Sequence, residues 1–214
     1  SYKYDHRVGT SQKQETSEGI TSLYDYSYDL GGRLETVSID GNPVATYTYD
    51  SNGNRTHVNG VPLGEHDAQD RLTQYGTTQY HYTDNGELQQ ASNIQTGETT
   101  NNHYDVLGNL LQVTLPDNTQ IDYLIDGQNR RIGKKVNGSL RQGFVYKDQL
   151  NPIGELDGNN QVITRFLYAT RENVPYDMIK GSASYRIVSD HLGSPRLVIN
   201  TKTGSVVQII DYDT

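Results

Sequence analysis

A chain of 214 residues with 26 acidic and 18 basic side chains carries a net charge of −8, and no basic run or basic aromatic stripe offsets it; nucleic acid is excluded as a partner on those grounds. Cysteine is absent, which excludes disulfides and thiolate metal sites. No stretch approaches the roughly 18 consecutive apolar residues that a membrane-spanning helix needs. Only 33% of the chain is hydrophobic, with 17 Tyr against two Phe and no Trp, so a core here must be built from Tyr rings, Thr methyls and a thin set of aliphatics.

Residues 1–20 read as an N-terminal edge segment. "SYKYDHRVGT" lacks the apolar centre of a secretory leader, so export, if any, uses another route or the chain is a piece of a longer one. From residue 21 a repeat sets in. Tyr28, Tyr49, Tyr82, Tyr104 and Tyr123 open similar units, and a degenerate one, "HDAQDRLTQY", starts at His66. The uneven spacing suits a hairpin array better than a solenoid of fixed coil length.

Each unit predicts strand, tight turn, strand. In "VATYTYD" Ala45, Tyr47 and Tyr49 share one face. Leu111, Val113 and Leu115 line another strand, Ile121, Tyr123 and Ile125 the next, and Val162, Thr164, Phe166 and Tyr168 a later one. Between the runs lie Asp40-Gly41, Asn52-Gly53, Asn85-Gly86, Asp126-Gly127, Asn137-Gly138 and Asp157-Gly158, residue pairs that supply the positive φ of hairpin turns. No segment holds a 3.6-residue period for three turns, so little helix is expected. From residue 135 the hairpins lengthen around apolar strands, while "ATRENVPYDMIKGSASY" predicts an irregular excursion. No linker rich in Gly, Ser or Pro interrupts the chain, which predicts one continuous sheet. The fold class is therefore all-β, an antiparallel hairpin array.

The units "YDLGGRLETV", "YDSNGNRT" and "YDVLGNLLQV" resemble the Tyr-Asp (YD) repeats of the Rhs and teneurin families. "YLIDGQNRRIGKKVNG", "DQLNPIGELDGNNQV" and "SDHLGSPRLVINTKTG" resemble the Rhs-associated core that follows such repeats. The resemblance covers residues 21–214 and divides them into YD repeats over 21–134 and truncated core hairpins over 135–214. It implies a curved, spiralling sheet that forms part of a hollow shell. In bacterial polymorphic toxins such a shell encloses a C-terminal toxin; in teneurins a related shell serves an adhesion receptor. The partners it implies are the remainder of the shell or a toxin cargo, with self-association through strand edges, and its location is secreted or at the cell surface within a longer protein. The family's self-cleavage segment, Asp-Pro-x-Gly, has no counterpart here.

Four patterns invite chemistry. Asp50, Asn52 and Asn54 place oxygen ligands as a calcium loop begins, but Gly falls at its fourth position rather than its sixth and Val61 stands where a bidentate Glu is required; a turn explains all the sister units. In "SDHLGSPR" Asp190, His191 and Ser194 are a hydrolase's residue types crowded into one turn, where nucleophile and base seldom meet. Pro195 fixes φ there, and Arg196 is expected to pair with a local carboxylate. His6, His57, His66, His81, His103 and His191 form no metal-binding spacing. The Tyr rows could stack on sugars, but their place at the repeated position predicts cross-strand ladders instead. No catalytic, cofactor or metal residue is expected, and no enzymatic activity. The expected function is a structural shell segment that encapsulates a toxin or other cargo; the alternative is a surface adhesion module for glycan or protein.

Overall fold

Alternation of inward and outward side chains, broken at short intervals by turn residues, yields strands throughout. The computed structural model describes residues 1–5, 9–17, 19–169, 173–190 and 192–212, and these contain strands and turns and no helix. Two compact units divide at Thr99 and Thr100.

The first unit holds β1 (Tyr2–Asp5), β2 (Gly9–Ser17), β3 (Ile20–Tyr28), β4 (Leu34–Ile39), β5 (Asn42–Tyr49), β6 (Arg55–Val58), β7 (Val61–Pro62), β8 (Gly64–His66), β9 (Leu72–Tyr75), β10 (Thr78–Tyr82) and β11 (Leu88–Asn93). The second holds β12 (Thr99–Tyr104), β13 (Leu110–Thr114), β14 (Gln120–Ile125), β15 (Arg131–Val136), β16 (Ser139–Tyr146), β17 (Pro152–Leu156), β18 (Val162–Leu167), β19 (Asp177–Lys180), β20 (Ala183–Ser189), β21 (Pro195–Asn200) and β22 (Val206–Ile209). Strand neighbours follow chain order, and the pairing is antiparallel.

The expectation of one continuous sheet does not hold. The first sheet ends at β7 and a second starts at β8. The break has a local cause: β7 is two residues long, and Pro62 has no N–H to offer a further neighbour. The predicted excursion is also partly wrong. Its C-terminal half is the hairpin β19–β20, closed at Gly181 with φ +60°. A four-residue strand flanked by polar residues leaves no periodic trace, and β19 is specified by its ladder with β18, in which Phe166 faces Met178. Residues 170–172 of that segment lie outside the described residues.

The face predicted for β5 is the buried one. Ala45 and Tyr47 pack with the fully buried Val37 of β4, and Tyr26, Leu34, Tyr49 and Val58 surround them. In β18 Thr164 is buried at 2% exposure, while Val162 of the same predicted face is 53% exposed, because it sits at the strand's first position beside the loop. Gly133 has a packing reason: a Cβ there would meet the Gln142 carbonyl oxygen at 3.1 Å and a Leu124 methyl at 3.2 Å, so the glycine gives Leu124 its space.

Candidate functional site

The repeated element is a five-residue loop with one geometry. In it the residue before the loop pairs with the residue after it: Tyr28 with Leu34, Tyr49 with Arg55, His66 with Leu72, Tyr82 with Leu88, Tyr104 with Leu110, Ile125 with Arg131, and Ser189 with Pro195. A register shift precedes each of these pairs, a bulge that aims the chain into the loop. The first loop residue donates its N–H to the carbonyl of the fifth, as Asp105 does to Asn109 at 3.0 Å. The fourth donates back to the first, as Gly108 does to Asp105 at 3.1 Å. That fourth residue has positive φ in these seven loops: Gly32, Gly53, Asp70, Gly86, Gly108, Asn129 and Gly193. The loop 147–151, between paired Tyr146 and Pro152, departs from them: Asp148 in second place accepts the N–H groups of Leu150 and Asn151, and Leu150 in fourth place has ordinary φ.

An aspartate in first place completes the loop. Its Oδ1 accepts the N–H of the third and fifth residues: Gly31 and Arg33 for Asp29, Asn52 and Asn54 for Asp50, Leu107 and Asn109 for Asp105, Gln128 and Arg130 for Asp126. Its Oδ2 accepts from the fifth side chain, from Arg33 Nε at 2.7 Å, Asn54 Nδ2 at 3.0 Å, Arg71 Nε at 2.7 Å, Asn109 Nδ2 at 2.8 Å and Arg130 Nε at 2.8 Å. A carboxylate so bonded favours its charged form. The Arg33 N–H, with its guanidinium, holds Asp29 below the usual carboxylate range; the Asn54 amide does so for Asp50, the Asn109 amide for Asp105, and the Arg130 N–H for Asp126.

The fifth residue also reaches the next loop. Arg33 Nη1 donates to the Asp50 carbonyl at 3.0 Å, Asn54 Nδ2 to Asp70 Oδ1 at 2.8 Å, and Asn109 Nδ2 to Asn129 Oδ1 at 2.6 Å. Arg33, Arg71 and Arg130 lie over the rings of Tyr49, Tyr82 and Tyr146, 4.8–5.2 Å from their centroids. Those tyrosines, with Tyr168 and Tyr212, close the module. Each donates its hydroxyl to the carbonyl of the residue leaving the previous loop: Tyr49 to Leu34 at 2.6 Å, Tyr82 to Leu72 at 2.7 Å, Tyr146 to Arg131 at 3.0 Å, Tyr168 to Pro152 at 2.9 Å and Tyr212 to Pro195 at 2.9 Å. Burial pushes the Tyr82 and Tyr168 hydroxyls up from their ordinary pKa. Tyrosine, aspartate and the arginine or asparagine of the motif thus perform one task, joining each hairpin to the next.

This geometry corrects two predicted features. Among the six predicted turns, Asp40-Gly41 and Asn137-Gly138 have both residues at positive φ, as does the unpredicted Asn59-Gly60. Asn52-Gly53 and Asn85-Gly86 instead fill the third and fourth places of five-residue loops, with only Gly at positive φ, and Asp126-Gly127 and Asp157-Gly158 fill the first and second, where φ is ordinary. The left-handed residues there are Asn129 and Asn160. The unit drawn from Tyr123 is likewise displaced, since Ile125 occupies the tyrosine position before its loop.

The candidate calcium ligands are spent inside the protein. Asp50 accepts from Asn52 and Asn54, and both asparagine amides donate to Asp70 Oδ1 at 2.8 Å. Asp190 caps its loop, accepting the N–H of Leu192 and Ser194; His191, like His6, lies outside the described residues. Arg196 pairs with Asp211 at 2.9 Å, a carboxylate beyond the next strand rather than in its own turn. His57 Nδ1 contacts the hydroxyls of Thr48 and Thr56, His66 precedes a loop, and His81 and His103 are exposed on β10 and β12. Among the described residues no group of three or more His, Asp or Glu is placed to hold a metal. One feature escaped the sequence: a cleft of about 260 Å³ where the chain before β19 parts from β20. There Arg186 stacks on Tyr176 at 3.7 Å and pairs with Asp177 at 2.6 Å.

A family model described as the Teneurin YD-shell matches residues 1–214. Teneurin-4 of Mus musculus is 29% identical over 223 residues, covering 98% of this chain and 8% of that protein; teneurin-1 of Gallus gallus is 28% identical over 197 residues, covering 88% and 7%. The chain thus spans about 8% of the length of the curated relatives it matches. Among solved structures, the crystal structure of TcdB2-TccC3 without hypervariable C-terminal region aligns with a TM-score of 0.46 at 14% identity, over 94% of this chain and 15% of that one. TcdB2-TccC3-TEV aligns with a TM-score of 0.44 over 94% and 11%.

Proposed function

The chain belongs to the Teneurin YD-shell family, and from that premise we propose that it is a structural segment of a shell wall which, within a longer protein, encloses a C-terminal toxin or other cargo. The observation that carries this is the loop module. Its charged and aromatic residues are committed to binding neighbouring hairpins together, which is what a wall requires. The division into an edge segment (1–20), YD repeats (21–134) and core hairpins (135–214) belongs to the same proposal, as do a secreted or cell-surface location and a non-enzymatic role. Support for the non-enzymatic role comes from the Asp190 carboxylate, whose Oδ1 accepts the N–H groups of Leu192 and Ser194 and so serves loop closure.

A second reading, an adhesion module that binds glycan or protein, draws on the match to the teneurins and on the 48% exposure of Tyr75. The test is limited proteolysis of the longer protein that carries this chain. Protection of the enclosed segment until the wall is denatured supports encapsulation. Absence of protection, with retention of a glycan or protein ligand by the isolated chain, supports adhesion.

A further inference from the structure

Asparagine followed by glycine is a place where a protein chain can cyclise on itself. The glycine main-chain nitrogen attacks the asparagine side-chain carbonyl carbon, and glycine has no Cβ to obstruct the approach. The chain has four such pairs, Asn52-Gly53, Asn59-Gly60, Asn85-Gly86 and Asn137-Gly138, each with an exposed asparagine. To react, the asparagine must turn about its main chain and swing its side chain over the next nitrogen. Hydrogen bonds to either part oppose that motion.

Three of the four asparagines are held at both parts. Asn52 donates its N–H to Asp50 Oδ1 at 2.9 Å and its Nδ2 to Asp70 Oδ1 at 2.8 Å. Asn59 donates its N–H to the Thr46 carbonyl at 2.8 Å, and its Oδ1 accepts the Thr46 N–H at 2.8 Å. Asn137 makes the same two bonds with Gln120, at 2.8 and 2.9 Å. Asn85 is held at neither: among the described residues its N–H and its side chain have no hydrogen-bond partner. The cause is local. The loop 83–87 has Thr83 in first place where its sisters have aspartate. The Thr83 hydroxyl accepts the N–H of Glu87 in fifth place at 3.1 Å and donates to the Glu87 carboxylate, which leaves the third residue, Asn85, uncapped. Gly86 donates its N–H to the Thr83 carbonyl at 3.0 Å, as Gly53 does to Asp50 at 3.2 Å, so that restraint is common to both loops and does not separate them.

We propose that Asn85 is a site of spontaneous self-modification. The Gly86 nitrogen gives its proton to base in the solvent and bonds to Asn85 Cγ, and the side-chain amide leaves as ammonia. Water then opens the succinimide at one carbonyl to give aspartate or at the other to give isoaspartate. Either product adds a negative charge beside Asp84 and Glu87. Isoaspartate also lengthens the main chain by one methylene inside the ring that the Thr83 N–H closes with the Glu87 carbonyl at 2.9 Å, which loosens the hairpin β10–β11.

Peptide mapping by mass spectrometry, after incubation of the folded chain in mildly alkaline buffer, tests this. Aspartate and isoaspartate are expected at position 85 at least about tenfold faster than at positions 52, 59 and 137, since two bonds must break at each of those before the ring can close. In urea the four rates are expected to converge. Thr83→Asp supplies the missing acceptor for the Asn85 N–H, and Thr83→Asn supplies one without charge; each is expected to slow position 85 several-fold and to leave position 52 unchanged. Position 85 found intact, a comparable rate at any of the other three, a spread of rates that survives urea, or an unchanged rate in both Thr83 variants overturns the proposal. Each of these outcomes leaves the shell-wall reading standing, since that reading rests on the contacts between loops.

Discussion

The Arg130 guanidinium donates through Nη1 to the Asp148 carbonyl oxygen at 3.0 Å, so a side chain that closes one loop also fixes the main chain of the next. The same group pairs with Asp126 at 2.6 Å and lies over Tyr146 at 5.2 Å. Lysine keeps the charge but cannot serve a carboxylate, a carbonyl and a ring from one planar fork. Arg130→Lys is therefore expected to lower the melting temperature by about 2–4 °C, the shift that about 1 kcal/mol gives in a chain of this size. Exposed Arg141→Lys serves as the control and is expected to change nothing.

The two Asp-Gly loops make opposite predictions from the same dipeptide. Gly127 has ordinary φ and open space around its Cβ position, whereas a Cβ on Gly158 would lie 2.5 Å from the Leu140 carbonyl oxygen. Gly127→Ala is expected to be neutral or to stabilise by about 0.4–1 kcal/mol through the unfolded chain, while Gly158→Ala destabilises by more than about 1 kcal/mol. Gly86, with open space but φ +97°, is expected to lose about 1 kcal/mol or more as alanine on backbone strain alone. Urea unfolding of the three variants separates these cases; equal effects at Gly127 and Gly86 would refute the loop assignment.

Those glycines mark where sequence stops being informative. The all-β class was legible because alternation in "VATYTYD" and the turn residues are local signals, and the inward face of β5 came out as predicted. Asp126-Gly127 was misread because Asp-Gly looks alike in a two-residue turn and at the head of a five-residue loop. The choice depends on where Ile125 meets Arg131 across the ladder, which no local pattern records. The aspartate and tyrosine were recognised as a repeat, but their task was hidden, since Tyr49 finds Leu34 fifteen residues away and Arg33 finds Asp50 seventeen away. The break at Pro62 was legible in principle, as proline within a strand run signals an edge.

Chelation distinguishes loop closure from calcium binding at Asp50. Its Oδ1 already accepts two N–H groups at 2.9 Å, and the Asn52 and Asn54 amides point their donors at Asp70. EDTA is expected to leave the melting temperature unchanged, and added calcium to leave it unchanged as well. Asp50→Asn, which retains an acceptor oxygen for the loop, should then cost less than Asp50→Ala. A fall in melting temperature on chelation would return the loop to the metal-binding class.

Acid should dismantle the loops together. Asp29, Asp50, Asp105, Asp126 and Asp157 all have carboxyls held below the ordinary value of 3.8, by main-chain N–H groups or by the fifth side chain of their own loops. A group with a folded pKa below its unfolded one binds protons more readily in the unfolded chain. Its contribution to stability is therefore complete above about pH 4 and drains away as pH falls through the lowered folded value. The expected profile is flat from about pH 7 to about pH 5 and falls steeply below about pH 4, steeper than one carboxylate gives because several loops titrate alike. Asp105→Asn separates this from general acid repulsion. Its amide oxygen can still accept the Leu107 and Asn109 N–H groups, but the side chain no longer titrates in this range. The variant should be less stable than wild type at neutral pH and should lose less on acidification, so that the two denaturation curves converge near about pH 3. Parallel curves, with the same loss in both proteins, would show that the bonds to Asp105 contribute nothing to the acid limb and that the loop is held by its main-chain hydrogen bonds alone.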